Sequence, residues 1–80
     1  MRQLNTRQHP DYVITVFAWN GKYLLKFEQG LMEQTYKIRE TDLNGDADID
    51  ALLKNEEFLK EVSAHFEAMR QSLYKAADAL

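Results

Sequence analysis

The alternation of apolar and polar residues begins after Asp11 and predicts β-strands. The run YVITVFAW, residues 12–19, is dense in β-branched and aromatic residues, which favour a pleated and packed surface. Asn20 and Gly21 follow, and a second apolar run, KYLLKFE, starts at Lys22. Because a type I′ turn needs positive φ at both central residues, Asn-Gly between two such runs is a strong hairpin signal. We therefore expect two antiparallel strands joined by a two-residue turn.

That turn fixes the register of the hairpin and sorts its residues into two faces. One face is wholly apolar and pairs Ala18 with Tyr23, Val16 with Leu25, and Ile14 with Phe27. The other face is mixed and carries Val13, Thr15, Phe17, Trp19, Lys22, Leu24, Lys26 and Glu28. Since an antiparallel sheet is usually buried on one side, we assign the apolar face to the core.

A third strand is predicted after a turn at Gly30. The run EQTYKIRE, residues 33–40, alternates with period two. With Gly30 and Leu31 as the loop, the apolar face continues through two further pairs, Leu25 with Tyr36 and Tyr23 with Ile38. A four-residue loop would give the same faces. The mixed face, named the outer face below, then gains Thr35, Lys37 and Arg39.

After Asp42 the period of the pattern changes from two to 3.6, which predicts helix. Asp46 or Asp48 can cap a first helical turn, and Asn55 offers a second cap, so a break near residue 55 is expected. From there one apolar stripe with alternating spacings of three and four comprises Leu59, Val62, Phe66, Met69, Leu73, Ala76 and Leu80. We interpret this stripe as the face of a long helix that covers the sheet.

These elements predict an α+β fold in two layers, in which a three-stranded antiparallel meander packs against a long C-terminal helix, in the order β-β-β-α. Residues 1–80 form a single domain. Within it, residues 11–41 form the meander and residues 46–79 are helical. Residues 1–10 show no periodicity and are expected to form a loose arm.

The composition describes one small soluble domain. The chain has 80 residues, of which 45% are hydrophobic and 29% are charged, and it holds no cysteine. Disulfides, zinc–thiolate sites and thiol nucleophiles are thereby excluded, which suits a cytoplasmic protein. The run MRQLNTRQHPDY is polar and lacks the apolar stretch of a secretory signal. We expect a cytoplasmic location and no membrane contact.

The net charge of −3 hides an asymmetry between the two halves of the chain. Residues 1–39 hold six Lys and Arg against three acidic residues, whereas residues 40–80 hold four against ten. The half predicted to form the sheet is therefore basic, and the half predicted to be helical is acidic.

The acidic segment 42–57 suggests one candidate metal site. Asp46, Asp48, Asp50 and Glu57 have the spacing of the first, third, fifth and twelfth positions of a calcium-binding EF-hand loop. However, Ala51 stands where that loop needs glycine, and the following residues already look helical. The leading interpretation is a helix start rich in capping acids, with a calcium site as the alternative and no cofactor otherwise.

Catalytic chemistry has little support in the sequence. His9 lies in the predicted arm, and His65 lies beside the apolar stripe of the helix. Ser63 points to another side of the helix from His65, and Ser72 lies about two helical turns away from it. Neither serine forms a nucleophile–base pair with His65, so we expect a protein without enzymatic activity.

The outer face carries the candidate binding residues. Its apolar members stand among cations, and the set comprises Phe17, Trp19, Leu24, Lys22, Lys26, Lys37 and Arg39. Large apolar side chains exposed together favour a protein interface. Aromatic residues among cations also suit single-stranded nucleic acid, although the pI near 5.3 opposes that alternative.

The first predicted strand also lacks protection at its edge. Its run VITVFAW contains no lysine, proline or glycine, which are the residues that discourage edge-to-edge pairing. Its cover is expected from the N-terminal arm or from the same strand of a second copy. We therefore predict a small binding or assembly module that forms a homodimer through this edge or through the outer face, with another protein partner as a further option.

The hairpin WNGKY and the strand EQTYKI, followed by an acidic turn and a long helix, resemble a group of short bacterial proteins that have no assigned activity. The resemblance covers about residues 12–75. It implies a stand-alone domain of the bacterial cytosol and indicates no site residues.

Overall fold

Four antiparallel strands form one sheet whose spatial order follows the chain. A computed structural model describes residues 1–80 and contains the strands β1 (Arg2–Gln8), β2 (Val13–Trp19), β3 (Lys22–Gln29) and β4 (Met32–Arg39). A 3₁₀ turn (Glu40–Asp42) leads to the helices α1 (Asp46–Leu53) and α2 (Glu56–Ala77). The α+β class and the antiparallel meander are thus confirmed, but the sheet has four strands rather than three, and the helical part comprises two helices.

The hairpin predicted from Asn20 and Gly21 is confirmed in turn type and register. Both residues have positive φ, 51° and 73°, as a type I′ turn requires. The three predicted β2–β3 pairs are present: Ala18 with Tyr23, Val16 with Leu25, and Ile14 with Phe27. The β3–β4 loop is Gly30–Leu31, because Gln29 pairs with Met32. The predicted pairs of Leu25 with Tyr36 and of Tyr23 with Ile38 are therefore also present.

The expected loose arm of residues 1–10 is wrong, because most of it forms β1. This strand, RQLNTRQ, has a single apolar residue, Leu4, and so lacks the alternation by which strands are found in a sequence. Its stability comes from backbone hydrogen bonds to β2, whose amide and carbonyl groups would otherwise lack partners. An ion pair between Arg7 and Asp50 also ties β1 to α1.

β1 covers the edge of β2 through which a homodimer was expected to form. β2 has β1 on one side and β3 on the other, so it has no free edge. Of the two covers expected for β2, the N-terminal segment is the one present. The new edge strand carries Arg2 and Arg7 and is irregular between Gln3 and Asn5, two features that discourage pairing with another sheet.

The break near residue 55 is confirmed, and Asn55 caps α2 as expected. Its Oδ1 accepts a hydrogen bond from the Phe58 N–H at 3.1 Å. The predicted cap of α1 is different: Gly45, with φ 100°, occupies the cap position, and Asp46 and Asp48 lie in the first turn. Both aspartates still favour the helix because negative side chains stabilise the N-terminal end of the dipole.

The core lies between the apolar face of the sheet and the first half of α2. Its fully buried side chains are Val16, Leu25, Phe27, Val62 and Phe66. Only 11 of the 80 residues are buried, so the core is thin for this chain length. Neither helix contains an apolar stretch long enough to cross a membrane.

The apolar stripe of α2 covers the sheet along only part of its length. Leu59, Val62, Phe66 and Met69 pack in or against the core, as predicted. Leu73, however, is 57% exposed, and every residue from Gln71 onward is exposed. The expectation that the whole stripe covers the sheet is therefore wrong beyond Met69. We call residues 71–80 the overhang.

Candidate interaction surfaces

The outer face consists of four rows of side chains that run across the strands. The row nearest the Asn20–Gly21 turn holds Trp19, Lys22 and Arg39. The second row holds Phe17, Leu24 and Lys37, and the third holds Thr15, Lys26 and Thr35. The last row holds Val13, Glu28 and Glu33. The sheet therefore brings all seven predicted binding residues together on one face.

An apolar centre occupies the first two rows of the outer face. Leu24 is only 7% exposed, although it lies outside the core cluster on the other side of the sheet. Phe17 is half-buried, and Trp19 is 48% exposed. A shallow depression of about 220 Å³ is lined by Phe17 and Leu24 together with Met1. These side chains offer an apolar contact surface that the chain itself covers only in part.

The end of the outer face nearest the Asn20–Gly21 turn is positive. Lys22 and Lys37 make no ion pair within the chain. Arg39 is partly neutralised, because its Nε lies 3.1 Å from the Asp42 Oδ2 in the following 3₁₀ turn. Two lysine side chains are therefore available to an acidic partner group.

The opposite end of the outer face is negative. Glu28 and Glu33 are paired across β3 and β4. They share one cation, since the Lys26 Nζ lies 3.8 Å from a Glu28 oxygen and 3.6 Å from a Glu33 oxygen. Two carboxylates against one lysine leave a net negative charge at this end. The apolar centre of the outer face thus lies nearer the positive end than the negative end. The two ends of the face carry opposite charge.

The overhang forms a second apolar surface, which the sequence pattern did not separate from the core stripe. Tyr74 is 59% exposed, close to the value for Leu73. Together with the β3–β4 turn, these side chains line a groove of about 340 Å³, whose apolar residues are Leu31, Met32, Leu73 and Tyr74. The lengths of the elements could have indicated this surface in the sequence. The 22 residues of α2 span about 33 Å, whereas an eight-residue strand spans about 27 Å, so the helix is longer than the strands that it covers.

A cavity of about 350 Å³ lies between the β1–β2 connection and the start of α2, and it holds no catalytic pair. The Ser63 hydroxyl donates to the Asp11 Oδ2 at 3.1 Å. The His9 Nδ1 accepts from the Asp11 backbone N–H at 3.1 Å, and its ring stacks on Tyr12 at 4.2 Å. The serine thus contacts a carboxylate and the histidine contacts a backbone amide, so neither is arranged as a nucleophile with its base.

The four carboxylates of the calcium alternative are not brought together. The Asp46 Oδ1 accepts from the Tyr23 hydroxyl at 3.1 Å, and the Asp48 Oδ2 accepts from the Asn44 N–H at 2.8 Å. Asp50 pairs with Arg7, and Glu57 lies in the first turn of α2. No group of three or more His, Asp or Glu side chains is arranged to hold a metal ion. Each aspartate therefore stabilises the fold through a partner of its own.

His65 also has a structural neighbour rather than a reactive one. Its Nδ1 lies 3.4 Å from the Tyr36 hydroxyl, and that hydroxyl also donates to the Gln34 Oε1 at 2.6 Å. Burial, and then the charge of Glu61, raise the pKa of Tyr36. The phenol donates its one proton to Gln34 within β4, and the Gln34 Nε2 in turn donates to the Val62 carbonyl at 2.9 Å, which links β4 to α2.

Comparison of the chain with protein-family models, curated proteins and solved structures found no match.

Proposed function

We propose that the chain is a small non-catalytic assembly module that self-associates through the outer face of its sheet. The observation that supports this function is the layout of that face, in which Trp19 and Phe17 stand near a positive end and Glu28 and Glu33 form a negative end. Such a layout is self-complementary. A second copy, rotated about a two-fold axis that runs across the strands, places its negative end over the positive end of the first.

The direction of the axis follows from the charges. An axis parallel to the strands would stack Lys22 and Lys37 of one copy on the same lysines of the other, and like charges in contact are unfavourable. An axis across the strands brings Lys37 of one copy toward Glu33 of the other. The arrangement is isologous and closed, which is the commonest form of homodimer. With Lys37 over Glu33, Phe17 lies over Val13 of the second copy, and sheets stacked about 10 Å apart bury these two side chains between them.

The contribution of the apolar centre is tested by Trp19→Ala. Trp19 is the largest exposed apolar side chain of this face, and an aromatic side chain that becomes covered in an interface commonly contributes about 2 kcal/mol, so we expect the outer-face Kd to rise about thirtyfold. Sedimentation velocity over a dilution series measures this change. A dissociation constant equal to that of the unsubstituted chain would contradict the proposal.

The orientation is tested by charge reversal. Lys37→Glu should weaken association, because it places a carboxylate over Glu33 of the second copy. Adding Glu33→Lys should restore it, since the pair is then reversed on both copies. Lys60→Glu, an equal change at an exposed lysine of α2, serves as the matched control and should leave association unchanged. Failure of the double variant to recover any affinity would exclude the proposed orientation.

A second candidate function is binding of single-stranded nucleic acid on the same face. It is favoured by one observation, the half-exposed Trp19 in a row with the unpaired Lys22. A base could stack on the indole while the lysines contact phosphates. A polyuridine mobility-shift assay at low salt tests it: a shift that Lys37→Glu reduces would support this function, and the absence of a shift would end it.

A further inference from the structure

The overhang of α2 leaves apolar side chains without a contact inside the chain. The stripe that packs on the core up to Met69 continues at the same spacing to Leu73 and Ala76. Leu73 is 57% exposed and Tyr74 is 59% exposed. They stand beside the β3–β4 turn, whose Leu31 is fully exposed. The apolar stripe of α2 is therefore covered by the sheet as far as Met69 and is exposed beyond it.

The overhang makes the single chain unusually extended. Its radius of gyration is 14.2 Å, whereas a compact domain of this length has about 12 Å. Its long axis is 46 Å, against 26 and 20 Å for the other two. The accessible surface is 5681 Å², whereas a compact monomer of 9.4 kDa exposes about 5000 Å². The elongated chain thus exposes about 700 Å² more surface than a compact chain of the same mass, and pairing of two copies covers part of such surface.

We propose that the overhang is a second self-association site, which binds the overhang of another copy as an antiparallel helix pair. The spacing of three and four along the stripe is the spacing by which two helices pack side by side. Ala76 lies at the centre of the exposed part of the stripe, so Ala76 of one copy faces Ala76 of the other. A small residue at this crossing point lets the two backbones approach closely.

The antiparallel direction follows from the position of the sheet. In the first half of α2, the stripe faces the chain's own sheet. A parallel partner helix would have to occupy the space of that sheet. An antiparallel partner avoids it and brings its own helix end toward the β3–β4 turn, where Leu31 lies in the groove beside Leu73. The two sheets then lie at opposite ends of the pair.

This site is independent of the outer face, which lies on the other side of the sheet from α2. A chain with both sites assembles beyond the dimer at high concentration, because each copy binds one neighbour through the sheet and another through the helix. The two sites can therefore be removed one at a time.

The decisive experiment is sedimentation velocity on four proteins: the unsubstituted chain, Leu73→Glu, Trp19→Ala and the double variant. Leu73→Glu places a charge in the helix contact and should raise the dissociation constant of that contact at least about tenfold. Because Leu73 is mostly exposed, the variant should keep its helix content, which circular dichroism checks. Ala68→Glu, on the exposed side of the same helix, is the matched control and should not change the mass.

The outcomes separate the two proposals. Dimers for each single variant and a 9.4 kDa monomer for the double variant support both sites. If Trp19→Ala alone gives monomers and Leu73→Glu leaves the mass unchanged, the helix site is overturned and the sheet site stands. If Leu73→Glu alone gives monomers, the sheet site is overturned instead. An unsubstituted chain that stays monomeric at all concentrations overturns both.

Cysteine cross-linking tests the geometry directly, because the natural chain has no cysteine. Ala76→Cys places one thiol at the predicted crossing point, whereas Ala68→Cys places one about 12 Å earlier along α2, so that in the antiparallel pair its two thiols lie about 24 Å apart along the helix axis. Mild oxidation should convert Ala76→Cys into a covalent dimer many times faster than Ala68→Cys. Equal rates for the two variants would overturn the antiparallel helix pair.

Discussion

Asn55 is the residue that separates the two helices, and its effect on stability is testable. Its side chain accepts the Phe58 N–H, which has no partner within the helix. Asn55→Ala should lower the free energy of unfolding by about 1 kcal/mol, the usual effect of removing such a cap. Urea denaturation measures this change. Asn44→Ala is the control, since the Asn44 side chain makes no hydrogen bond; an equal loss in both variants would contradict the role of Asn55.

Three tyrosine hydroxyls give the protein a predicted sensitivity to alkaline pH. Burial is the main cause that raises the pKa of Tyr12, Tyr23 and Tyr36 above the ordinary value near 10. In Tyr23, the hydrogen bond to Asp46 raises it further. Above about pH 10, the unfolded chain loses these protons more readily than the folded chain, so the unfolding free energy should fall as the pH rises.

Urea denaturation between pH 8 and pH 11 checks this prediction. The unfolding free energy should be level at first and should then fall once the ordinary tyrosine pKa is passed. Tyr23→Phe should reduce the slope of that fall, because one of the three titrating groups is absent. A slope that is unchanged in Tyr23→Phe would show that the Tyr23–Asp46 pair has no part in the alkaline effect.

At the scale of elements, the strand β1 protects the edge of β2. The run VITVFAW has no charged residue, so an uncovered β2 would present an apolar strand edge to other chains. Removal of residues 1–8 should therefore lower stability and increase aggregation, measured as light scattering at equal concentration. Arg7→Ala keeps the strand and removes only its ion pair with Asp50, so it should cost at most about 1 kcal/mol and cause no aggregation.

The sequence was sufficient for the elements that carry a local signal. Asn20 and Gly21 define the turn type and the register, and with them the members of both faces of β2 and β3. β1 could not be found in this way, because one apolar residue in seven gives no alternation and the strand depends on β2 for its hydrogen bonds. Its presence was signalled only indirectly, by the lack of protection along β2.

Of the two candidate surfaces, one could be predicted from local sequence signals and the other could not. The outer face followed from the register, so all of its predicted residues lie together. The overhang depends on where the sheet ends beneath the helix, and the periodicity of a helix carries no information about the length of the layer it covers. The charges of the outer face also needed the structure, since the sharing of Lys26 between Glu28 and Glu33 is a contact across two strands.

At the scale of the whole molecule, the opposite charges of the outer face predict an effect of salt. Association through this face brings Lys37 of one copy toward Glu33 of the other, and exposed charge pairs weaken as ionic strength rises. The apolar contact between overhangs should depend much less on salt concentration. Raising the salt concentration should therefore weaken association of Leu73→Glu, which retains the sheet contact, more than association of Trp19→Ala. Equal salt dependence in the two variants, measured by sedimentation, would argue against the charge arrangement.

The most direct measurement of the central claim uses the single tryptophan of the chain. Trp19 lies on the outer face and is 48% exposed, so its emission reports whether that face becomes covered. In a dilution series of Leu73→Glu, in which only the sheet contact remains, we expect the emission to shift to shorter wavelength as the protein concentration rises. The shift should follow the dimer fraction measured by sedimentation. A dimer that forms without any change in Trp19 emission, or the absence of a dimer, would contradict self-association through the outer face.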